Sequence, residues 1–364
     1  MQDEARRRRR AFLLGIYEIP ISLRNWKAAD DLRRLTFGTG LDAQPFPGPG
    51  GRIAFVSLSF TNNVWLLPID ARGQIGTEIR RVTEGYGYDA TPSCSRDGTK
   101  LVFTSSRLGN REVWIKDLNT GSEAAVTATP VDESSPAISA DGSKVAYTVT
   151  GQPAQPIYVA DARTAPGSTV AEKVCDDCGQ PVDWSPDGSR IVYIFGTPRA
   201  VGSFDVSTGR KSVLVQPAKF DIDQAQISPD GAWLTVVAYT EPNRTRIFVI
   251  PLRDGVAATE DRWIAITRGE SWDARPRWSP RGDLIYFYSK RDGFGCIWKQ
   301  ALEAATKHPV GEPSVVHDFH SSRRSMMHMS QERLGISVAA DKLVFNLLEV
   351  TGSVWMMQTG QSQR

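Results

Sequence analysis

The sequence is poor in cysteine, in net charge and in long apolar runs, and each scarcity excludes a class of protein. Four cysteines among 364 residues are too few for a disulfide-rich scaffold. The formal net charge is only +2, and the positive excess lies near the N-terminus, so the body offers no surface for following nucleic-acid phosphates. No apolar run reaches transmembrane length. We therefore predict neither a nucleic-acid partner nor a membrane span.

The N-terminal 30 residues differ in character from the rest. Five arginines at residues 6–10 precede the apolar residues 11–17, which is the order found in a secretory signal. Glu18 and Pro20 interrupt the apolar run, and no small-residue cleavage site follows. Two interpretations of residues 1–30 stay open, a basic N-terminal arm or the remnant of a junction to upstream sequence.

Turn-forming and aromatic residues are abundant. The chain has 31 Gly and 22 Pro, together with 10 Trp, 14 Phe and 9 Tyr. Glycine and proline favour turns, and aromatic residues favour strands. This composition predicts a turn-rich β protein.

An internal repeat is the strongest signal in the sequence. A four-residue turn related to Ser-Pro-Asp-Gly recurs seven times, and the last residues of successive copies are separated by 43 to 58 positions. The copies occupy residues 48–51, 95–98, 139–142, 185–188, 228–231, 279–282 and 337–340. The last copy has lost the glycine.

Each repeat has room for four short strands. The turn is followed by an alternating apolar run, then by an aliphatic–aromatic pair such as Val113-Trp114, and in several repeats by a strand ending in Thr. Four strands of about five residues, with short connections, fill a repeat of about 44 residues. We interpret the aromatic members of the pairs, including Trp65, Trp114, Trp298 and Trp355, as core between neighbouring units.

The repeat predicts an all-β fold, a seven-bladed β-propeller of four-stranded blades. Leu35-Thr36 matches the last strand of a repeat but precedes the first repeat, so it has no blade of its own. We therefore expect this N-terminal strand to complete the last blade as its outer strand. The predicted propeller covers residues 31–357, between the arm at 1–30 and a polar tail at 358–364.

The repeat resembles the TolB-type, WD40-like (PD40) propeller family, whose units read approximately Pro-x-Trp-Ser-Pro-Asp-Gly, Ile-x-Phe, Ile-Trp-x-x-Asp and Leu-Thr. The sixth unit, from Pro276-Arg277-Trp278-Ser279-Pro280 to Ile297-Trp298, matches best. The resemblance implies a fold that serves partner-binding periplasmic proteins, sensor halves of bacterial kinases and regulators, and gating domains of peptidases. It does not choose among these functions.

Enzymatic motifs are missing from the chain. There is no Gly-x-Ser-x-Gly nucleophile elbow, and the glycine-rich stretches fall in blade turns. The four histidines lie between residues 308 and 328, in what we interpret as one inter-blade insertion. Metal-dependent lyase propellers take histidine ligands from separate blades. We therefore predict no catalytic residue, no cofactor and no metal ligand.

Cys175 and Cys178 form a Cys-x-x-Cys pair between the predicted third and fourth blades, without a second pair that could complete a zinc site. A local disulfide and free thiols both remain open.

The acidic residues Asp42, Asp89, Glu133 and Asp273 each lie three positions before the proline of their repeat. This places them in connections that lead to the innermost strands, at one mouth of the channel. They either cap their own turns or form a carboxylate rim that attracts a cationic partner. Arg107 and Arg291 fall in hairpins, where we expect solvated side chains.

We therefore predict a monomeric, non-catalytic propeller, periplasmic or otherwise extracytoplasmic, that binds a protein or peptide at one mouth. The predicted partner-binding residues are Asp42, Asp89, Glu133, Asp273, His317, His320, Arg323 and Arg324. The alternatives are a carbohydrate-active, lyase-like or carbohydrate-binding propeller, and a detached sensor domain of a bacterial kinase or transcription regulator.

Overall fold

A computed structural model describes residues 15–38, 40–70, 74–85, 87–152, 155–163, 171–217, 220–253, 255–320, 323–327, 329–330 and 332–359. Apart from turns and bends, the described residues form strands and two three-residue 3-10 helices, Pro49–Gly51 and Glu260–Arg262. Neither helix is long enough to traverse a lipid bilayer. Contacts divide the chain into a first unit, Met1–Thr61 with Glu349–Arg364, and a second unit, Asn62–Leu348.

The first unit contains two antiparallel pairings. Strand β1 (Tyr17–Glu18) pairs with β2 (Arg33–Arg34), and β3 (Leu41–Gly48) pairs with the beginning of β4 (Arg52–Pro68). The expectation that an N-terminal strand near Leu35 completes the last blade is wrong. The segment instead follows β2, and the backbone N–H of Leu35 donates to the carbonyl of Ile16, 2.8 Å away.

The second unit contains five complete antiparallel sheets, in which consecutive strands are neighbours. We number them as blades. Blade 1 consists of β6 (Ala90–Cys94), β7 (Lys100–Ser105), β8 (Glu112–Asp117) and β9 (Glu123–Ala125). Blade 2 consists of β10 (Glu133–Ile138), β11 (Lys144–Val149), β12 (Ile157–Asp161) and β13 (Glu172–Cys175). Blade 3 consists of β14 (Gln180–Trp184), β15 (Arg190–Phe195), β16 (Ala200–Asp205) and β17 (Lys211–Val215).

The fourth and fifth blades have the same order. Blade 4 consists of β18 (Ile222–Ile227), β19 (Trp233–Glu241), β20 (Arg244–Arg253) and β22 (Ile264–Ala265), and β21 (Val256–Ala257) also pairs with β20. Blade 5 consists of β23 (Asp273–Trp278), β24 (Leu284–Ser289), β25 (Cys296–Leu302) and β26 (Pro309–His317).

A sixth blade joins distant parts of the sequence. Strands β28 (Ile336–Val338) and β29 (Lys342–Gln358) pair with each other, and β29 neighbours β4, which pairs with β5 (Arg80–Arg81). The backbone N–H of Ile69 donates to the carbonyl of Asp341, 2.7 Å away, inside the second unit. The short strand β27 (Arg324–Ser325) also pairs with β29.

The six first strands form a closed ring. Along β6, β10, β14, β18 and β23, each first strand contacts the next, and β28 contacts both β23 and β6. The described residues therefore form a ring of six blades, and the expected count of seven is wrong. Repeat 7 supplies the first two strands of blade 6 and repeat 1 supplies the last two, so two of the seven repeats share one blade.

The turn between the first two strands of a blade is held by its own polar residues. In blade 3, Oγ of Ser185 accepts the N–H of Arg190 at 2.9 Å, and Oδ1 of Asp187 accepts the N–H of Ser189 at 3.1 Å. Gly188 has a φ of 69°, in the left-handed region that favours glycine. The repeated tetrad thus encodes the turn directly.

The core lies between blades. One apolar cluster joins Val64 and Val344 of blade 6 to Leu101 and Phe103 of blade 1, with Trp114 packed against it. The predicted role of the aromatic pairs is confirmed there. It is wrong for the last pair, because Val354 and Trp355 are exposed and belong to the first unit.

Candidate partner-binding channel

A cavity of about 640 Å³ lies within the second unit and is lined by all six first strands. A ring of first strands leaves a central channel, and polar groups that converge there mark it as a candidate binding site. Because β7 runs from the turn containing Arg96 to the turn before Arg111, these two lining residues mark opposite ends of the channel.

Backbone irregularities line this channel at equivalent places. In four of the first strands the register shifts, and a residue other than glycine has a positive φ: Thr91 (51°), Ser135 (53°), Gln224 (58°) and Arg275 (54°). β-Bulges of this kind re-aim side chains, and strained backbone is concentrated at functional sites. Four of the six first strands therefore have a β-bulge at an equivalent position facing the channel.

Side chains near these bulges connect each blade to the next. The hydrogen bonds run from Cys94 N to Ser337 Oγ (2.9 Å), Ile138 N to Ser93 Oγ (3.2 Å), Trp184 Nε1 to the carbonyl of Ala137 (2.9 Å), Ile227 N to Asp183 Oδ2 (3.0 Å), Trp278 N to Gln226 Oε1 (3.0 Å) and Arg277 Nε to the carbonyl of Ile336 (2.7 Å). The channel wall is thus tied around its circumference.

The described channel lining carries more positive than negative charge. Its ionisable residues are the cations Arg96, Arg111, Arg199, Arg275 and Arg277 and the acids Asp183, Asp223 and Glu332. Arg199 donates to Asp223 at 2.7 Å. Arginine is the side chain best suited to bidentate recognition of carboxylates, so this lining favours an acidic ligand.

Burial perturbs the charged groups of the channel. Burial raises the pKa of Asp183 to about 7, against the lowering effects of the Ile227 N–H and of Arg277. Burial and the neighbouring charge of Arg275 lower the pKa of Arg277 to about 10. Arg277 therefore stays cationic at neutral pH, whereas Asp183 is only partly ionised.

One end of the channel is crossed by a side chain. Nη2 of Arg96, in blade 1, donates to the carbonyl of Pro229 at 3.2 Å. Pro229 belongs to blade 4, which stands opposite blade 1 in the ring. The other end, near Arg111 and Arg199, is the candidate entrance.

The predicted acidic residues of the second unit are buried instead of rimming this entrance. Asp89 is 1% exposed and accepts a hydrogen bond from Nη2 of Arg107 at 3.0 Å. Arg107 also pairs with Glu123 and lies over the ring of Trp114, 4.5 Å from its centroid. We call Asp89, Arg107 and Trp114 the Asp–Arg–Trp cluster of blade 1.

Blade 5 has an equivalent Asp–Arg–Trp cluster. Nη2 of Arg291 donates to Asp273 at 3.2 Å, and the guanidinium carbon of Arg291 lies over the ring of Trp298, 4.9 Å from its centroid. Burial raises the pKa of Asp273, although Ser289 and Arg291 oppose the shift. The expected solvated positions of the arginines are wrong, because each arginine compensates a carboxylate that the fold buries.

Glu133 is buried without an arginine. The hydroxyls of Thr127 and Thr129 donate to its carboxylate at 3.0 and 2.5 Å. Burial, and the proximity of Glu112, raise its pKa to about 7. Asp42 lies in β3 of the first unit and is also buried. A rim of exposed carboxylates is therefore not formed by these four residues, and any contact with a partner stays a prediction.

The predicted histidine and arginine contacts lie at and after the end of blade 5. His317 ends strand β26 instead of lying in an insertion, and burial lowers its pKa. His320 is exposed, Arg323 is exposed, and Arg324 lies over the ring of Trp65, 4.5 Å from its centroid. His328 lies outside the described residues. Partner binding by these residues stays a prediction.

Cys175 and Cys178 are joined by a disulfide, which resolves the two interpretations left open by the sequence. The sequence did not point to Asp183, Arg275 or Arg277 as channel residues. Arg277 stands at the variable position of the family pattern Pro-x-Trp, and its occupation by a cation was the signal available.

Comparisons with known proteins agree with this fold. No family model matches the chain. A protein described as a TolB homolog of Chlorobium luteolum is 40% identical over 85 residues, which are 23% of this chain and 18% of that protein. The chain thus matches less than a fifth of the length of this relative.

Solved structures extend the likeness over most of the chain. A protein assigned as TolB from Agrobacterium tumefaciens gives a TM-score of 0.60 at 18% identity, covering 80% of this chain and 99% of that one. TolB of Acinetobacter baumannii gives 0.52 at 16% identity, covering 70% and 65%. At these identities the likeness shows the fold alone. The resemblance to the TolB-type propeller is therefore confirmed, by structural neighbours that are TolB proteins and by a short stretch of TolB-like sequence.

Proposed function

We propose that the protein is a non-catalytic, TolB-like propeller that binds an acidic segment of a protein or peptide in its central channel. The observation that carries this proposal is the excess of arginine in the channel lining, five arginines against three acids. Opposite charge steers association and favours partners of complementary sign. The proposed partner segment is therefore negatively charged instead of cationic, since the acids expected to attract a cationic segment are buried.

The entrance near Arg111 and Arg199 suits an extended segment. The opposite end is crossed by Arg96, so a segment would enter from one side and end inside the ring. The connection after β26, which contains Arg323, also supplies the lining residues Ser330 and Glu332. We propose that this connection contacts the part of the partner that stays outside.

We further propose that the protein works outside the cytoplasm. The disulfide between Cys175 and Cys178 supports this location, because such bonds persist in oxidising compartments. The similarity to TolB proteins supports it as well.

A peptide selection tests the function. A library of random peptides displayed on phage is selected on the wild-type protein, and the affinity of the recovered peptides is measured by fluorescence anisotropy. We expect acidic sequences whose affinity falls with salt, because exposed charges are screened. Replacing Arg111 and Arg199 by Glu should weaken binding roughly tenfold or more, equivalent to at least about 1.4 kcal/mol.

The matched control is Arg262→Glu, which reverses an exposed arginine in a 3-10 helix of blade 4 outside the channel lining. Its affinity should equal that of the wild type. Selection of basic peptides, or equal losses in the control and the channel variant, would show that the channel is not the binding site.

A further inference from the structure

Three potential metal ligands lie together at one end of blade 5. Asp292 lies in the turn between β24 and β25, Cys296 begins β25, and His320 follows β26. The ligand atoms of the three side chains lie within 4.8 Å of one another. Strand β25 pairs with both β24 and β26, and this pairing brings the two ends together.

Neighbouring groups hold each of these side chains in place. Oδ1 of Asp292 accepts the N–H of Phe294 at 3.0 Å, while Oδ2 lies 3.1 Å from Nε2 of His320. The ring of His320 packs on Phe294, with centroids 4.3 Å apart. Sγ of Cys296 accepts the N–H of Phe319 at 3.5 Å. Outer contacts of this kind orient ligands at metal sites.

The donor set decides which ion would fit. One sulfur, one imidazole nitrogen and one carboxylate oxygen suit zinc, which takes such ligands tetrahedrally at about 2.0 to 2.3 Å. Cys296 is fully buried, whereas Asp292 and His320 are exposed and leave a route for the ion and for a fourth ligand. Zinc binding would replace the direct contact between Asp292 and His320 by contacts of both side chains with the ion.

We propose that Asp292, Cys296 and His320 form a zinc-binding site whose fourth position is open to water. On binding, the ion takes the place of the thiol proton of Cys296, which passes to solvent, so one proton is released per ion bound. The sequence-based prediction of no metal ligand weighed the histidine segment and the cysteines separately. It did not place Asp292 and Cys296 beside His320, where the pairing of β25 with β24 and β26 brings them.

Cobalt binding tests the site. The purified full-length protein is treated with EDTA, dialysed without thiol reductant and titrated with Co²⁺ alone. We expect saturable one-to-one binding, with visible bands typical of tetrahedral cobalt and a near-ultraviolet thiolate-to-cobalt charge-transfer band. Cys296→Ser should abolish the charge-transfer band. His320→Gln and Asp292→Asn should each weaken binding roughly tenfold or more.

Matched controls are available within the chain. Cys94→Ser changes the other buried free cysteine and His308→Gln changes an exposed histidine at the opposite end of β26, so both should bind cobalt as the wild type does. No saturable binding by the wild type, or a charge-transfer band in Cys296→Ser, would overturn the proposal. If Cys296→Ser fails to fold by circular dichroism, the exposed His320→Gln decides, and unchanged affinity in that variant overturns the site.

Discussion

Arg107 offers the sharpest test of how the blades are stabilised. Its guanidinium contacts Asp89 and Glu123 and stacks on Trp114. Asp89 depends on it strongly, because Nη2 of Arg107 donates to Oδ2 of that carboxylate and Oδ1 has no hydrogen-bond partner among the described residues. The variant Arg107→Met keeps an unbranched apolar stem over Trp114 and removes only the charge and its donors.

The expected loss follows from the burial of Asp89. Breaking a buried ion pair by removing one partner costs about 3–5 kcal/mol, since the remaining charge is left uncompensated. Arg107 keeps 23% of its side chain exposed, which lets water reach part of the site and places the expectation at about 3 kcal/mol. The lost cation–π contact adds about 0.5–1 kcal/mol.

The assay is equilibrium unfolding in urea of the wild type, Arg107→Met, Asp89→Asn and the double variant. The double variant should lose about 1–3 kcal/mol less than the sum of the single variants, because both act on one interaction. Arg291→Met provides the matched test in blade 5, and exposed Arg262→Met should change stability by less than about 0.5 kcal/mol. A loss below about 1 kcal/mol in Arg107→Met, or additive single variants, would refute this account of the cluster.

Two further predictions concern pH and ring closure. The carboxyls of Asp183 and Glu133 have pKa values of about 7 in the fold, above their ordinary values, so their contribution to stability is fully present in acid and is lost between about pH 4 and 7. Unfolding in urea at several pH values should show this decline, and Asp183→Asn with Glu133→Gln should flatten it; an unchanged slope would contradict the assignment. Deleting residues 1–38 should leave the unfolding transition of the ring intact, whereas deletion through residue 85, which removes β4 and β5, should abolish cooperative unfolding by circular dichroism. Equal behaviour of the two truncations would contradict a sixth blade built from β4 and β5.

The sequence predicted the four-stranded blade correctly, but it predicted seven blades where the described residues form six. Each Ser-x-Asp-Gly turn contains its own hydrogen-bonding groups, so a local pattern was sufficient to locate it. Strand β3 is the first strand of repeat 1, and it has a bulge at Gln44 (φ 52°) like those in the first strands that line the channel. It nevertheless lies in the first unit. A repeat can therefore look complete in sequence while its strands are divided between two units, because strand pairing depends on contacts made after the turn.

The candidate site was harder to predict for a related reason. Whether a carboxylate faces solvent or an arginine is decided by residues that are distant in sequence, as with Asp273 and Arg291. The position of Arg277 in the channel follows from ring closure, which no single repeat encodes. The repeat therefore predicts which positions of different blades are equivalent, but the role of a charged residue depends on which opposite charge lies beside it in the fold.

Blade 6 is built from strands that are far apart in sequence, so it can be completed only late in synthesis of the chain. Its β4 and β29 strands begin about 290 residues apart, and a ribosome adds about 5–20 residues per second. The segment containing β4 must therefore wait on the order of 15 to 60 seconds for its neighbour to be made. During that interval blades 1 to 5 can assemble, but both ends of the arc present unpaired strand edges, the surfaces at which one nascent chain can join another. Aggregation during expression should therefore depend on how quickly β28 and β29 are made after the first five blades. Chaperones that shield strand edges should improve the yield of this protein.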